Sequence, residues 1–498
     1  MKPFFTRIFR FFWSWGFLKF ILFALTFLVL LYVEEDWRGA RAWAITKAKW
    51  EGRGETFDIR AFTPPLGPEN ENLAALPIFR ITRTGGKFGP DELVDFRRAI
   101  FYQTPMPDSV PQIPLLGSWQ SDERTDMVKL RQTVTTDYAV LFKGQPPPSD
   151  SLAQFDAVYP LVGELREAAA TRSSFRLNSD YERMPPAGRS LGPVTDMIAL
   201  AKIVSAHAVL GLESGRSDLA LDDLRVNWIV ANGVKRDPDL VGALVSIGIV
   251  AISEGAIFHG LVQHEWNDAQ LAELERMFGS LHFLRDYQFT MRAEGALVAT
   301  NIGFFKKFSK GKVLPIDPTA TQASLPVPWP GGWWDNNSKL MADFFFAAMD
   351  AADPQAELVF PAKADALDEQ IRQTWSAPWT IWYLTAAPAM ANAARSFSQA
   401  QVWADESRLA CALERYRLAH NAYPATLEEL VPSCIDQLPH DVMDGEPYHY
   451  RLKSDGMYLL YSVGWNQKDD DGKVVMKQNN RYQRDYTQGD WVWPTPKR

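Results

Sequence analysis

Cysteine, histidine and clustered basic residues are what this 498-residue sequence has least of. Its two cysteines, Cys411 and Cys434, are too few for a disulfide framework and wrongly spaced for a zinc knuckle. Seven histidines leave little material for a metal centre. His259, His264 and Glu265 form H-x-x-x-x-H-E, and a five-residue step sets the two imidazoles roughly 140° apart around a helix, which suits no shared zinc. No Lys/Arg cluster follows the first residues and the net charge is −8, which excludes a phosphate-binding surface for nucleic acid. The chain also lacks G-x-S-x-G, a phosphate loop, G-x-G-x-x-G and H-E-x-x-H, so no familiar catalytic constellation is written locally. Paired acids such as Asp222 and Asp223 read as a solvated helix face.

Apolar and aromatic residues are abundant, with 18 Trp and 30 Phe. Residues 11–33, FFWSWGFLKFILFALTFLVLLYV, carry a single charge, Lys19, and span roughly 34 Å as a helix, enough to cross a bilayer. No small-residue cleavage site follows, and the run ends in Glu34, Glu35 and Asp36, which predicts an uncleaved signal anchor. WRGARAWAITKAKW then reads as an amphipathic helix lying along the membrane, with Trp37, Trp43 and Trp50 as interfacial anchors. Basic residues on the two sides of the span nearly balance. The expected orientation, N-terminus inside and bulk outside, follows from the ease with which long trailing domains translocate. A second apolar run, residues 240–252, is too short to span and predicts a buried core helix.

Residues 51–150 are dense in Pro and Gly and predict an irregular layer with a few strands such as YAVLF. From 151 to about 300, apolar residues recur at three- and four-residue steps through five segments. Gly215 and Gly233 are placed as helix stops, and Ser217, Asp237 and Asn267 as N-caps. Ala208, Gly215, Ala220 and Leu224 fall at the spacing of one tetratricopeptide (TPR) unit. Residues 301–385 read as a Pro/Trp-rich connector followed by helices. Its PVPWPGGWWDNN is either an aromatic platform or, more commonly, a plug beneath a Pro-rich loop. A helix near 386–420 is followed by two alternating strands joined by Ser454-Asp455-Gly456, with DWVW as a last strand.

The last hundred residues resemble the periplasmic head of the major, G-type pseudopilins of type II secretion. Ala412, Tyr416, Tyr423 and Pro424 match that head's helix. Leu438, Pro439, Asp441, Gly445, Pro447, Tyr448 and Tyr450 match its first strand region, and Tyr461, Ser462, Gly464, Asn466, Asp470 and Asp471 its loop. The resemblance implies a helix packed on a small antiparallel sheet outside the cytoplasm, and calcium held by the loop. Hard carboxylates in a turn suit calcium, yet a solvated hairpin tip is the favoured explanation of Asp469, Asp470 and Asp471. An EF-hand is excluded, because Gln467 and Gln478 occupy the positions where Asp and Glu belong. The pseudopilin processing site is incomplete: Gly16 and Phe17 are present without the required Glu, which argues against assembly into a pseudopilus. The whole chain is similar to a group of large membrane-anchored bacterial proteins, a likeness that implies no activity.

These readings define a mainly α protein. A transmembrane anchor (1–35) precedes a juxtamembrane and irregular region (36–150), a TPR-like antiparallel array (151–300), the connector and helices (301–385) and a pseudopilin-like α+β module (386–498). The expected role is a single-pass scaffold or interaction protein of the inner membrane, with a protein partner and no catalysis. The competing reading is a cell-envelope hydrolase with its site between the helical body and the N-terminal layer. Cys411 and Cys434 either pair, closing a loop worth ~3 kcal/mol, or remain buried and reduced.

Overall fold

The computed structural model describes residues 15–63, 67–79, 126–137, 150–177, 192–308, 329–477 and 480–494, with isolated positions between 63 and 150. The expected YAVLF strand, most of the 51–150 layer and the Pro-rich stretch 309–328 lie outside them. The described residues are mainly helical, with a few small sheets.

The first helix, α1 (Trp15–Glu51), is one unbroken element of 37 residues. This corrects the expectation of a separate helix lying in the membrane plane. Residues 34–51 contain no proline and are rich in Glu, Arg, Ala and Lys, all strong helix formers, so nothing ends the helix where the apolar run ends. Arg38 pairs with Glu35 at 2.6 Å across one turn and supports the continuation.

The second half of α1 lies along α10 (Gly331–Ala348), and the two run in the same direction. Gly332 N–H donates to Asp36 Oδ1 at 3.0 Å and Trp333 Nε1–H to Glu35 Oε2 at 2.9 Å. Further on, Trp50 Nε1–H donates to Asp343 at 3.0 Å and the Trp50 ring meets Phe346 at 5.0 Å. Between these contacts the backbones touch: a Cβ on Gly39 would sit 2.1 Å from Gly332 O, and one on Gly332 only 1.8 Å from Glu35 O. Trp333 and Trp334, expected in a loop connector, therefore belong to the first turn of a helix that α1 packs against.

Before that contact come α2 (Met127–Gln132), α3 (Ser151–Val158) and α4 (Leu161–Ala169), the first two capped by Asp126 and Asp150. They lie beside α5 (Gly192–Glu213), α6 (Ser217–Val234) and α7 (Leu240–Gln263), which pack on one another. Asn227 Nδ2 pins all three, donating to Ala201 O, Ser205 Oγ and Ser253 Oγ at 3.0–3.3 Å. The 240–252 run extends to 24 residues and is long and apolar enough to span a membrane, but it is mostly buried inside the body. Gly215 does end α5, with φ of +70°. Gly233 instead lies within α6, where the backbone of Phe175 passes so close that a Cβ would meet its O at 2.0 Å. The α7 cap is Asp239 rather than Asp237, while Asn267 caps α8 (Asp268–Gly279) through a full capping box with Gln270.

Helix α9 (Phe283–Phe308) returns antiparallel to α10, with Lys306 on Asp335 at 2.6 Å. After a two-residue β1–β2 pair (Ala352–Asp353, Leu358–Val359), α11 (Pro361–Gln373) and α12 (Ile381–Ala391) complete this side. The 28-residue α13 (Ala393–His420) then runs through the middle of the molecule. Its Gln401 accepts from Phe283 N, its Arg408 meets Glu275 at 2.6 Å, and its Asp405 accepts from Tyr448 OH.

In the C-terminal part β3 (His449–Leu452), β4 (Tyr458–Ser462) and β7 (Trp491–Val492) form an antiparallel sheet in the order β3-β4-β7. The pair β5 (Val474–Lys477) and β6 (Asn480–Gly489) is an addition that the sequence reading did not foresee. One continuous apolar core reaches from Trp50 to Trp493, so the stretches expected as a connector and a terminal module share it with the helical body.

The glycine crossing yields a direct test. Gly332→Ala forces backbones apart and is expected to cost at least ~2 kcal/mol in chemical denaturation. Gly303→Ala on α9, which meets open space, should be neutral or stabilising by up to ~1 kcal/mol. Equal stability of the two variants would refute the close crossing.

Candidate functional site

His207 stands at the centre of the most unusual polar cluster. Helices α5 and α6 pack so closely that His207 and Asp223 face each other with neither exposed, and His207 Nδ1 lies 2.5 Å from Asp223 Oδ2. On its other side, Nε2 lies 2.9 Å from Asp156 Oδ1 of α3. Arg166 of α4 donates to the second Asp223 oxygen at 3.1 Å. Asp223 is thus wholly buried and paired, which corrects its reading as part of a solvated face. Its neighbour Asp222 does face solvent and pairs with Arg225. A residue alternation of one position on a helix is enough to separate core from surface, and only the partner helix shows which of the two faces inward.

The electrostatics of the cluster favour a protonated ring. Burial alone lowers the His207 pKa, but hydrogen bonds to Asp156 and Asp223 outweigh it and raise it to about 9. Asp156, half-exposed, is held below its usual range chiefly by its bond to His207. Burial pushes Asp223 upward, against its bonds to His207 and Arg166. With both nitrogens committed to carboxylates and the ring sealed, His207 presents no free atom to a substrate, which a general acid or base must approach to about 3 Å.

A second buried group lies between α7, α13 and the C-terminal part. Glu254 accepts from Ser407 Oγ at 3.4 Å, while its Oε2 and the Oε1 of Glu406 have no hydrogen-bond partner among the described residues. Burial pushes both carboxyls well above their usual range, which favours the neutral form. Burial likewise raises Asp405 to about 7 and Asp441 to about 6. Asp441 serves as a bracket: it accepts from Met443 N, Ser462 Oγ and Val463 N at 2.9–3.0 Å.

The aspartate loop does not gather its carboxylates. Asp469 accepts from Tyr461 OH at 2.9 Å and from Asp471 N at 2.8 Å. Asp470 takes Asn466 Nδ2 at 2.9 Å, and Asp471 takes Arg451 Nη1 at 3.0 Å. Asp490 does the gathering, accepting from Asp470 N at 3.2 Å and Gly472 N at 2.7 Å. Residues 471 and 472 both adopt positive φ at the tip of the loop. The donor set therefore does not fit a calcium ion shared by the three aspartates. Among the described residues no three His, Cys, Asp or Glu side chains are placed to share a metal.

His259 and His264 go to separate carboxylates, Glu213 at 3.1 Å and Glu414 at 2.8 Å. Cys411 and Cys434 are both buried and both free thiols, so the disulfide alternative is not realised. Burial pushes the Cys411 thiol far up, which leaves it unreactive. No protein-family model, curated protein or solved structure matches this chain.

Two outcomes follow. The folded ring holds its proton to about pH 9, whereas an unfolded histidine loses it near ~6.5. The stabilisation is thus complete below about pH 6.5 and is lost as pH rises through about 9. His207→Gln should lower stability by about 3 kcal/mol at pH 6 and flatten the decline in thermal midpoint on the alkaline side; an unchanged alkaline slope would contradict the pairing. In the loop, Asp490→Ala should cost about 1–2 kcal/mol, while exchanging calcium for a chelator leaves the thermal midpoint of the unaltered protein where it was. A calcium-dependent rise in midpoint, removed by Asp470→Asn, would overturn that account.

Proposed function

We propose that this chain is a non-catalytic scaffold or interaction protein, anchored by α1 in a bacterial inner membrane with its body on the extracytoplasmic side. The observation that carries the reading is the contrast between two apolar helices. The apolar run of α1 is exposed almost throughout, with Phe23 at 71% and Val33 at 62%, whereas α7, nearly as apolar, is mostly buried. A run of that length left in water costs roughly 1.5–3 kcal/mol for each large side chain, a cost that lipid removes. The locked crossing of α1 with α10 makes the span a strut that holds the body at a fixed attitude.

Further features support the finer parts of this reading. Buried Ala208 and Ala220 with Gly215 between them give α5 and α6 a close antiparallel turn, consistent with a TPR-like unit. In the C-terminal part, Asp441, Ser462 and Gly464 form one hydrogen-bonded knot, with Gly464 N donating to Ser462 Oγ at 3.1 Å. These belong to the residues that resemble a pseudopilin head, and the knot supports treating them as one unit. A type II secretion link remains part of the proposal through that likeness alone.

The hydrolase reading has one observation in its favour. His207 and Asp223 lie at the seam between the body and α3, where Asp156 reaches solvent. Catalysis there would require His207, itself buried, to give up a carboxylate that its positive charge holds. The scaffold reading needs no such rearrangement.

Carbonate extraction of membranes should leave the intact chain in the pellet, and protease added to spheroplasts should digest the body down to α1. Release by carbonate would defeat the anchor, and full protection in spheroplasts would defeat the extracytoplasmic placement.

A further inference from the structure

We propose that the tryptophan-rich corner between α11 and α12 is a second membrane contact, seated in the interfacial layer of the bilayer that α1 crosses; the proposal rests on α1 being a span. Its height is set by direct bonds. Glu35 and Asp36 stand where the apolar run of α1 ends, and they hold Trp333 Nε1 and Gly332 N of the first turn of α10. The start of α10 is therefore level with the point where the chain leaves hydrocarbon. From there the rings extend sideways: Trp333 meets Trp379 at 5.9 Å, Trp379 meets Trp375 at 6.4 Å, and Trp334 meets Trp382 at 5.8 Å. Asn336 Nδ2 ties the corner to α10 by donating to Trp379 O at 2.8 Å.

The chemistry of the corner matches that level. Trp375 is 78% exposed, Ile381 43% and Trp382 37%. From Gln373 to Ala394 the sequence carries no charged side chain. An uncharged stretch that turns indole rings outward beside a span is the composition found where protein meets headgroups, because indole combines an apolar face with an N–H that stays wet. A peptide or a second copy of this chain could cover the same rings, but neither accounts for their position beside Glu35 and Asp36. Lipid does, since the bilayer surface continues from the emerging span at that height.

The test uses the full chain in phosphatidylcholine/phosphatidylglycerol vesicles. Cys411 and Cys434 are both buried, so a spin label attaches selectively to one introduced cysteine. Trp375→Cys and Ile381→Cys probe the corner, Val29→Cys the span, and Leu418→Cys an exposed site on α13 further along than Gln401, which meets the end of α9 remote from Lys306. Collision rates with oxygen and with a water-soluble nickel chelate report depth. Both corner labels should show nickel collisions several-fold below those at 418 with oxygen collisions raised, at a depth shallower than 29. If 29 is deep while 375 and 381 match 418, the corner proposal falls and the anchor stands. Labels shielded from nickel without excess oxygen would mean a protein cover and also overturn it. An aqueous reading at 29 would bring down both.

Discussion

The crossing of α1 and α10 at Gly39 and Gly332 is the constraint on which the arrangement of this protein depends. Two helices approach there without side chains between them, so the backbone of α1 is in contact with the body and no flexible linker intervenes. The acids that end the apolar run are part of the same joint. Glu35 and Asp36 accept from groups at the N-terminus of α10, where the helix dipole favours negative charge. One set of residues thereby ends the apolar run of α1, fixes its angle to the body and brings the tryptophans of α10 to the same level.

From that joint, packing passes through α9 and α13 to the far end of the molecule. Helix α13 touches α8, α9, α7 and the C-terminal sheet, so the C-terminal strands are part of the common core rather than an appended piece. Glu254 and Glu406, whose carboxyls burial pushes well up, lie at this junction. Buried acids without full hydrogen bonding oppose stability, and their presence where three parts of the chain meet shows how much apolar burial the junction supplies around them.

Much of the helical architecture could be read from the sequence. The three- and four-residue periodicity of 192–308, the Asn267 cap and the Gly215 stop each depend on neighbours a few residues apart. Where reading failed, the deciding contact was distant. Gly233 looked like a helix stop and is instead a gap for the Phe175 backbone. Asp223 looked solvated and is buried against His207 and Arg166. The three adjacent aspartates allowed a shared ion, but they are engaged by different partners, Tyr461, Asn466 and Arg451, with Asp490 from a later strand junction holding the loop.

By itself, the sequence determined that the chain begins with a helix long and apolar enough to cross a bilayer, continues mainly as helices and ends in short strands. Those properties follow from local composition and periodicity. Tertiary structure decided that the apolar helix α1 continues straight into the body, that the two cysteines stay free, and that six tryptophans between 329 and 382 form one cluster beside the first turn of α10. Each of these depends on contacts between residues far apart in the chain, such as Gly39 with Gly332 or His207 with Asp156. No local pattern encodes such contacts, because burial belongs to the assembled surface and not to the residue.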